Sequence, residues 1–446
     1  MLHPDFIERT KELLKGEYEA FEASLDTLPP VSIRIHPQKN GGRDEPQVAW
    51  CANGYYLPER PSFTFDPLFH AGTYYVQEAA SMFLEQVVRQ ITANAPVVCL
   101  DLCAAPGGKS THLISLLPDD SLLVSNDVIR SRCAILAENM TKWGYPNSIV
   151  TNNDPKDFGR MKHFFDIIVA DLPCSGEGMF RKDRESRQEW SVANVELCAA
   201  RQRRIVHDVW EALKPGGYLV YSTCTFNTEE NEDNIVYIAR ELGADVIEIQ
   251  TLPEWNITGA LKHGVPVCRF LPHKTLGEGF FIALLRKGEN ARKREGTKAR
   301  REEGANARKY ESAKGAYQDV LLYPDRFYFR ENNAVLRTNF DCIQTVDGLL
   351  KVVSAGIRLG ELKGKDFIPS ISLALSTALN RERFAEVELS YEAAIRYLKN
   401  ETLNLSDDMP KGFVIVKYRN IPLGFVKNIG SRANNLYPKE WRIRKA

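Results

Sequence analysis

The chain reads as an α/β protein built on a doubly wound, mostly parallel sheet. Three observations point there. The apolar run Ala95-Pro96-Val97-Val98-Cys99 feeds directly into a glycine turn, L-D-L-C-A-A-P-G-G-K-S at Leu100–Ser110. Strand-like and helix-like segments alternate from Ala71 to about Lys287. Two further strand ends, D-L-P-C at Asp171–Cys174 and Y-S-T-C at Tyr221–Cys224, finish in polar turns.

Taken in order, the first 70 residues open with a helical pattern over Phe6–Ala23. Pro29-Pro30, an extended Val31–Ile35 and the aromatic turn Gly54-Tyr55-Tyr56 follow, as in a small α+β cap. Expected strands are Val97–Leu102, Leu122–Asp127, Ser148–Asn152, Asp166–Asp171, Gly217–Thr223, Val246–Ile249 and Phe280–Leu285. Expected helices between them are Thr111–Leu117, Arg130–Trp143, Ala199–Leu213 and Glu229–Leu242, long enough for right-handed crossovers. The last strand lacks a long helix after it and is expected antiparallel at the sheet edge. Lys287–Lys314 is rich in Lys, Arg, Glu, Ala and Gly, the composition of a solvated linker or of an exposed helix. Beyond Tyr317, apolar runs divided by glycine turns suggest two smaller parts that meet near Arg383, the second mostly β.

With 446 residues, 43% hydrophobic and 26% charged, the chain is ordinary for a soluble protein of two or three domains. Its formal net charge of zero argues against a surface that is basic throughout, although local patches still set the potential. No apolar run is long enough to span a bilayer, and the N-terminus lacks the plan of a signal peptide, so a cytoplasmic address is expected. Nine cysteines, an odd number without a C-x-x-C pair, fit neither a disulfide framework nor a zinc site, so no metal is expected. Cys99 and Cys133 lie in apolar settings, as small buried hydrophobes do.

The glycine turn lacks the third glycine of a dinucleotide fingerprint, and Pro106 fixes the chain before Gly107-Gly108. Such a loop suits a ribose and an amino-acid moiety better than a pyrophosphate. Asp127 ends the next strand, about 20 residues on, where a carboxylate can hold ribose hydroxyls. Asp154 follows the third strand and is placed near the ligand's base; alone, such a residue is more often a turn or helix cap, and three acidic residues at successive strand ends, counting Asp171, favour the pocket. Cys174 and Cys224 fall on the same carboxyl edge, where open α/β sheets bind ligands. A helix start near Thr228 and the cation Lys109 can lower a thiol's pKa there. A thiolate beside a cofactor pocket suits alkylation of pyrimidine carbon 5: addition at carbon 6 makes the ring an enamine, and carbon 5 then attacks a methyl-sulfonium. Asp171 can share a proton with the ring nitrogen.

The segments Leu100–Thr111, Asp171–Gly178 and Tyr221–Glu232, with Tyr74–Met82 upstream, resemble the Sun/Fmu-type RNA cytosine-5 methyltransferases. Gly356–Glu361, Leu423–Lys427 and Tyr437-Pro438-Lys439 are similar to the C-terminal extension of the bacterial RsmF group, which acts on small-subunit ribosomal RNA and ends in a PUA-type module. The resemblance implies a Rossmann-like methyltransferase sheet and S-adenosylmethionine as cofactor. It implies cofactor binding by Cys103, Ala104, Ala105, Pro106, Gly107, Gly108, Lys109, Asp127, Asp154 and Asp171. It makes Cys224 the nucleophile and Cys174 the cysteine that assists product release, with Asp171 and Lys109 beside them; Arg132 joins the cofactor or its support. The expected division is 1–70 an N-terminal RNA-binding cap, 71–287 the methyltransferase domain, 288–316 a charged linker, 317–383 a first C-terminal module and 384–446 the PUA-like RNA-binding module. The partner is RNA, as ribosomal RNA or the 30S subunit, with no DNA, no membrane and a monomeric state. Arg181, Lys182, Arg184, Arg201, Arg203 and Arg204 are candidates for phosphate contact or simply exposed helix residues. Intact Cys174, Cys224 and Asp171 argue against an RNA-binding factor that has lost its chemistry. Two cysteines at the carboxyl edge argue against an amide-nitrogen methyltransferase.

Overall fold

The computed structural model describes residues 2–39, 43–93, 95–289, 318–330, 332–364 and 366–444. From residue 290 onward, the charged linker expected over 288–316 lies outside the described residues.

Two helices open the chain, Pro4–Leu14 and Tyr18–Leu25. The first starts where His3 Nδ1 accepts the Asp5 N–H and Pro4 supplies a helical φ. Their buried face (Phe6, Leu14, Tyr18, Phe21, Leu25) packs on Phe180, Trp190 and Phe226. Phe180 and Phe226 lie just beyond the two cysteine turns, so these helices buttress both turns from behind. Strands β1 (Val31–Ile35), β2 (Gly54–Leu57) and β3 (Tyr74–Val76) form an antiparallel sheet in the order β2-β1-β3. The α+β character expected of the first 70 residues thus runs on to Val76.

The central sheet is formed by β4 (Val98–Asp101), β5 (Leu122–Asn126), β6 (Ser148–Thr151), β7 (Phe165–Asp171), β8 (Leu213–Thr223), β9 (Ala244–Ile247), β10 (Cys268–Phe270) and β11 (Phe280–Lys287), with one strand from later in the chain. β6, β5, β4, β7 and β8 run parallel in that order. The chain winds outward from β4 through β5 to β6, then returns to β7 on the other side. That reversal leaves a crevice outside the carboxyl ends of β4 and β7, the place where such sheets bind ligands. β11 is antiparallel to β8, as expected, but it is not the edge. β9 and β10 both pair along its outer side, because the segment before it returns as two short strands rather than as a helix.

Helices cover both faces. Along β4, Cys99 points into a core with Leu113, Leu136 and Met140, whereas Leu100 points into a second core with Ile205, Val209, Ile235 and Ile238. This period-two alternation, apolar on both sides, is what a sheet buried on both faces requires. Each fully buried aliphatic side chain contributes about 1.5–3 kcal/mol.

Beyond the linker, β12 (Phe327–Arg330), β13 (Asn333–Leu336), β14 (Val352–Ala355), β15 (Ile357–Arg358), β16 (Gly360–Lys363) and β17 (Asp366–Pro369) precede the last region. β14 pairs antiparallel with β6 and so extends the central sheet. The stretch expected as a first C-terminal module therefore supplies a strand to the sheet that carries the site. The final region holds β18 (Ala385–Glu388), β19 (Gly412–Tyr418), β20 (Ile421–Asn428) and β21 (Ala433–Asn435) as a four-stranded sheet with helix Tyr391–Leu398. It rests on the N-terminal region through Tyr391 Oη, which donates to the Phe65 carbonyl at 3.1 Å, and through Ala71, which joins its core.

Candidate active site

The glycine turn links β4 to helix Gly108–Leu116. Gly107 has φ 117°, a conformation that side chains resist, and an added Cβ would sit 3.3 Å from the Leu136 side chain. The loop's carbonyls are tied back by the following helix, Arg130–Trp143. Arg132 donates to the Ala105 oxygen at 2.7 Å and Asn139 to the Pro106 oxygen at 2.8 Å. A cavity of about 160 Å³ opens over the turn, lined by Cys103–Pro106, Gly108, Lys109 and Asp171, with Tyr75–Glu78 and Ser81 opposite. The Y-Y-V-Q-E segment thus forms the facing wall. Asp101, at the end of β4, is fully buried and accepts from Ser110 at 2.6 Å, while its Oδ1 has no hydrogen-bond partner among the described residues. Burial raises its pKa to about 7.

Asp127 is buried, accepts the Ile129 N–H at 2.8 Å and lies 3.6 Å from Arg132. Arg132 therefore links the acidic strand end to the glycine turn. Asp154 caps the short helix Pro155–Phe158, accepting the Lys156 N–H, while Asp157 closes a reciprocal capping box. Neither aspartate lines the cavity. A residue the sequence reading passed over organises this edge. The Asn126 side chain donates to the carbonyls of Leu102 and Asn153 and accepts from Thr151 Oγ1 and the Asn153 N–H. All four of its bonds run to neighbouring strand ends, so it fixes their relative height.

On the other side of the crevice β7 and β8 are parallel with Asp171 opposite Ser222, so the turns that follow them meet. Cys174 Sγ and Cys224 Sγ are 3.2 Å apart. The hydrogen bond to the Cys224 sulfur, reinforced by burial, raises the Cys174 thiol pKa well above its ordinary value. Lys109 Nζ donates to Asp171 at 2.8 Å, and Ser222 Oγ donates to the other carboxylate oxygen at 2.7 Å. Burial pulls the Lys109 pKa down, but Asp171 outweighs it and leaves the ammonium above its usual range; the Cys224 sulfur adds to that attraction. Cys103, in the cradle, is kept protonated by burial and by its acidic neighbours.

Two buried glutamates hold the thiol turns, and both lie inside segments whose cysteines drew attention first. Glu177, from the first turn, accepts five hydrogen bonds. Four come from the second turn (Thr225 Oγ1, Phe226 N, Asn227 N and Asn227 Nδ2) and one from Trp190 Nε1. Glu230, from the second, accepts from Ser175 N of the first turn, Gln202 Nε2 and Asn227 Nδ2. Burial raises the Glu230 pKa to about 7. The two thiols are thus cross-braced by reciprocal carboxylates.

The basic candidates separate. Arg181 is committed within the fold, to Thr27, Leu28 and the Gly277 carbonyl. Arg203 donates to Asn234 at 2.6 Å and lies over the Tyr237 ring. Lys182 has Glu278 at 3.9 Å, while Arg184, Arg201 and Arg204 are exposed.

Comparison with known proteins agrees with this geometry. Residues 91–286 match the family described as 16S rRNA methyltransferase RsmB/F. Residues 2–79 match the N-terminal domain of 16S rRNA methyltransferase RsmF, and residues 384–443 match the methyltransferase RsmF PUA domain. Ribosomal RNA small subunit methyltransferase F of Enterobacter sp. (strain 638) is 31% identical, over 98% of this chain and 95% of its own. The same-named protein of Shewanella loihica is 30% identical, over 90% and 84%. Among solved structures, a methyltransferase homolog from Pyrococcus horikoshii aligns with TM-score 0.54 and 27% identity over 63% of this chain and 93% of that one. NSun6 from Pyrococcus horikoshii shares the fold, with TM-score 0.54 and 21% identity over 64% of this chain and 98% of that one. The crevice with its two cysteine turns, and the regions that flank it, are those of an S-adenosylmethionine-dependent RNA methyltransferase: this chain belongs to the RsmB/F family, in its RsmF branch.

Proposed function

We propose that the chain methylates carbon 5 of a cytosine in small-subunit (16S) ribosomal RNA through a covalent adduct to Cys224. The observation that carries this reading is the thiol pair 3.2 Å apart, beside the Lys109–Asp171 pair and the glycine cradle.

The cradle fits the cofactor. Its carbonyls are held away by Arg132 and Asn139, Gly108 puts no side chain toward Tyr75 and Gln77 across the cavity, and the cavity abuts Asp171. Cys103–Lys109 would hold S-adenosylmethionine, with Asp127, Asp154 and Asp171 as further contacts. When bound, it supplies an electrophilic methyl group for carbon 5. The chain's own residues do the rest. Cys174, whose thiol pKa is raised, lies 3.2 Å from Cys224, the sulfur that attacks carbon 6. Lys109 adds a positive charge on the same side. Asp171, held by Lys109 and Ser222, shares a proton at the ring nitrogen as the ring loses aromaticity. In the last step a base takes the proton from carbon 5 and the carbon–sulfur bond breaks, which returns the thiolate; Cys174 is placed to assist that release. The target base must leave any stack to reach the crevice.

The 30S subunit or its RNA as substrate, a monomeric chain and a cytoplasmic location complete this reading. It separates the RNA-binding regions as 1–70 and 384–446, around a catalytic region of 71–287, with 317–383 as a module between them. Incubation with labelled cofactor and 16S RNA, followed by nucleoside digestion, is expected to give 5-methylcytidine. Label found only in another nucleoside sinks the proposal.

A further inference from the structure

Away from the crevice, three residues from separate segments converge in the core beneath the cradle. Cys51 comes from the loop before β2, Glu85 from helix Leu84–Ile91, and His112 from helix Gly108–Leu116. All three are about 2% exposed. His112 Nε2 lies 3.2 Å from Glu85 Oε2 and 3.8 Å from Cys51 Sγ, and the three donor atoms lie within 4.8 Å of one another. We propose that Cys51, Glu85 and His112 bind one zinc ion that staples the N-terminal region to the cradle helix.

The spacing carries the proposal. Zinc bonds of about 2.0–2.1 Å to nitrogen, 2.0–2.2 Å to oxygen and 2.3 Å to sulfur put tetrahedral neighbours about 3.3 Å (N and O) and 3.5 Å (N and S) apart. The nitrogen–oxygen pair already stands at 3.2 Å and the nitrogen–sulfur pair at 3.8 Å, so a shift of a few tenths of an ångström brings the sulfur to its place. A single imidazole nitrogen faces both the sulfur and the carboxylate oxygen, and its one proton can serve only one of them. With Nε2 on the metal the ring proton sits on Nδ1, which has no hydrogen-bond partner among the described residues.

The surrounding bonds aim the ligands. Glu85 Oε1 is occupied by the Ala52 N–H at 3.2 Å and by Arg89 at 2.9 Å, which turns Oε2 toward His112. The loop that carries Cys51 is pinned by Trp50 Nε1, which donates to the Ala79 carbonyl at 2.7 Å, and by Gln86, which donates to the Trp50 carbonyl at 2.8 Å. Charge also balances. Binding releases the Cys51 proton to solvent as the zinc–sulfur bond forms, so thiolate and carboxylate together cancel the two positive charges. The cluster beside Arg34, the buried guanidinium that bonds Gln77 and Thr111, then passes from the single negative charge of Glu85 to neutral. The fourth ligand would be a non-protein donor.

The test uses the full chain, purified without metal-affinity chromatography. Elemental analysis is expected to find about one zinc per chain, and the chelated protein is expected to take up cobalt with a thiolate charge-transfer band and strong tetrahedral visible bands. Cys51→Ser is expected to abolish the charge-transfer band, and Cys342→Ser to leave it intact. Less than about half an equivalent of zinc after growth with added zinc, together with no thiolate–cobalt band, overturns the proposal. A band that survives Cys51→Ser also overturns it. If Cys51→Ser fails to fold, His112→Gln replaces it: loss of the tetrahedral bands supports the site and their persistence overturns it.

Discussion

The two walls of the crevice are held in different ways. The cradle wall is backbone: a glycine turn whose carbonyls are tied to Arg132 and Asn139, with no charge of its own fixing its shape. The thiol wall is held by ionisable side chains, the buried Glu177 and Glu230, which reach across between the two cysteine turns. A backbone-built wall depends first on steric room, and its one carboxyl raised toward neutrality, Asp101, lies beneath the turn rather than across it. A carboxylate-braced wall depends on protonation, and its failure propagates to both sulfurs at once.

The largest effect separates the two thiols themselves. Cys224→Ala is expected to reduce methyl transfer by about 10⁴-fold or more, because no other group supplies the adduct. A variant with turnover within tenfold of the parent would remove Cys224 from the nucleophile's role. Cys174→Ala is expected to slow turnover by roughly 10²–10⁴-fold while a protein–RNA complex accumulates on denaturing gels. Slow turnover without that complex would assign Cys174 to an earlier step.

Next comes the bracing. Glu177→Ala leaves five donors without their acceptor and is expected to cost on the order of 3–5 kcal/mol in chemical denaturation. A cost below 1 kcal/mol would mean that the turns are held by other contacts. Glu230 supplies the pH dependence. Its folded-state value, about 7, lies above the ordinary 4.5, so the folded chain holds a proton that the unfolded chain gives up. That contribution is fully present below about 4.5 and is lost as pH rises toward 7, on the order of 3 kcal/mol in all. Glu230→Gln stays neutral, so its stability relative to the parent is expected to rise from pH 5 to pH 8. Parallel unfolding curves across that range would place the braces' protonation elsewhere.

The smallest effect belongs to the cradle. Gly107→Ala forces a side chain into φ 117° and against Leu136, at a cost of about 1–2 kcal/mol. It is expected to raise KM for the cofactor and leave the pH profile of turnover unchanged. A shifted profile would show that the two walls are coupled.

Much of this was legible beforehand, for a local reason. A glycine turn after an apolar run, and cysteines in polar turns after two others, are short-range patterns that place a crevice wherever the sheet reverses. The expected helix Arg130–Trp143 matches the structure residue for residue, because Gly144 stops it with φ 83°. Glu177 and Glu230 were not legible as braces. A glutamate beside a cysteine looks like any exposed turn residue until its donors are known, and those include four from the opposite turn for Glu177 and one, Ser175, for Glu230. Arg181 and Arg203 looked available for phosphate for the same reason, and their partners lie 154 and 31 residues away.

The sequence alone determined the alternation of strands and helices, the glycine turn and the two cysteine turns, because each depends on residues within a few positions of one another. The tertiary structure alone decided that the two thiols meet, which carboxylates bind the turns together and that β14 extends the sheet beside β6. It also brought Cys51, Glu85 and His112 to one point. Burial and long-range pairing set these properties, and neither exists until distant segments meet.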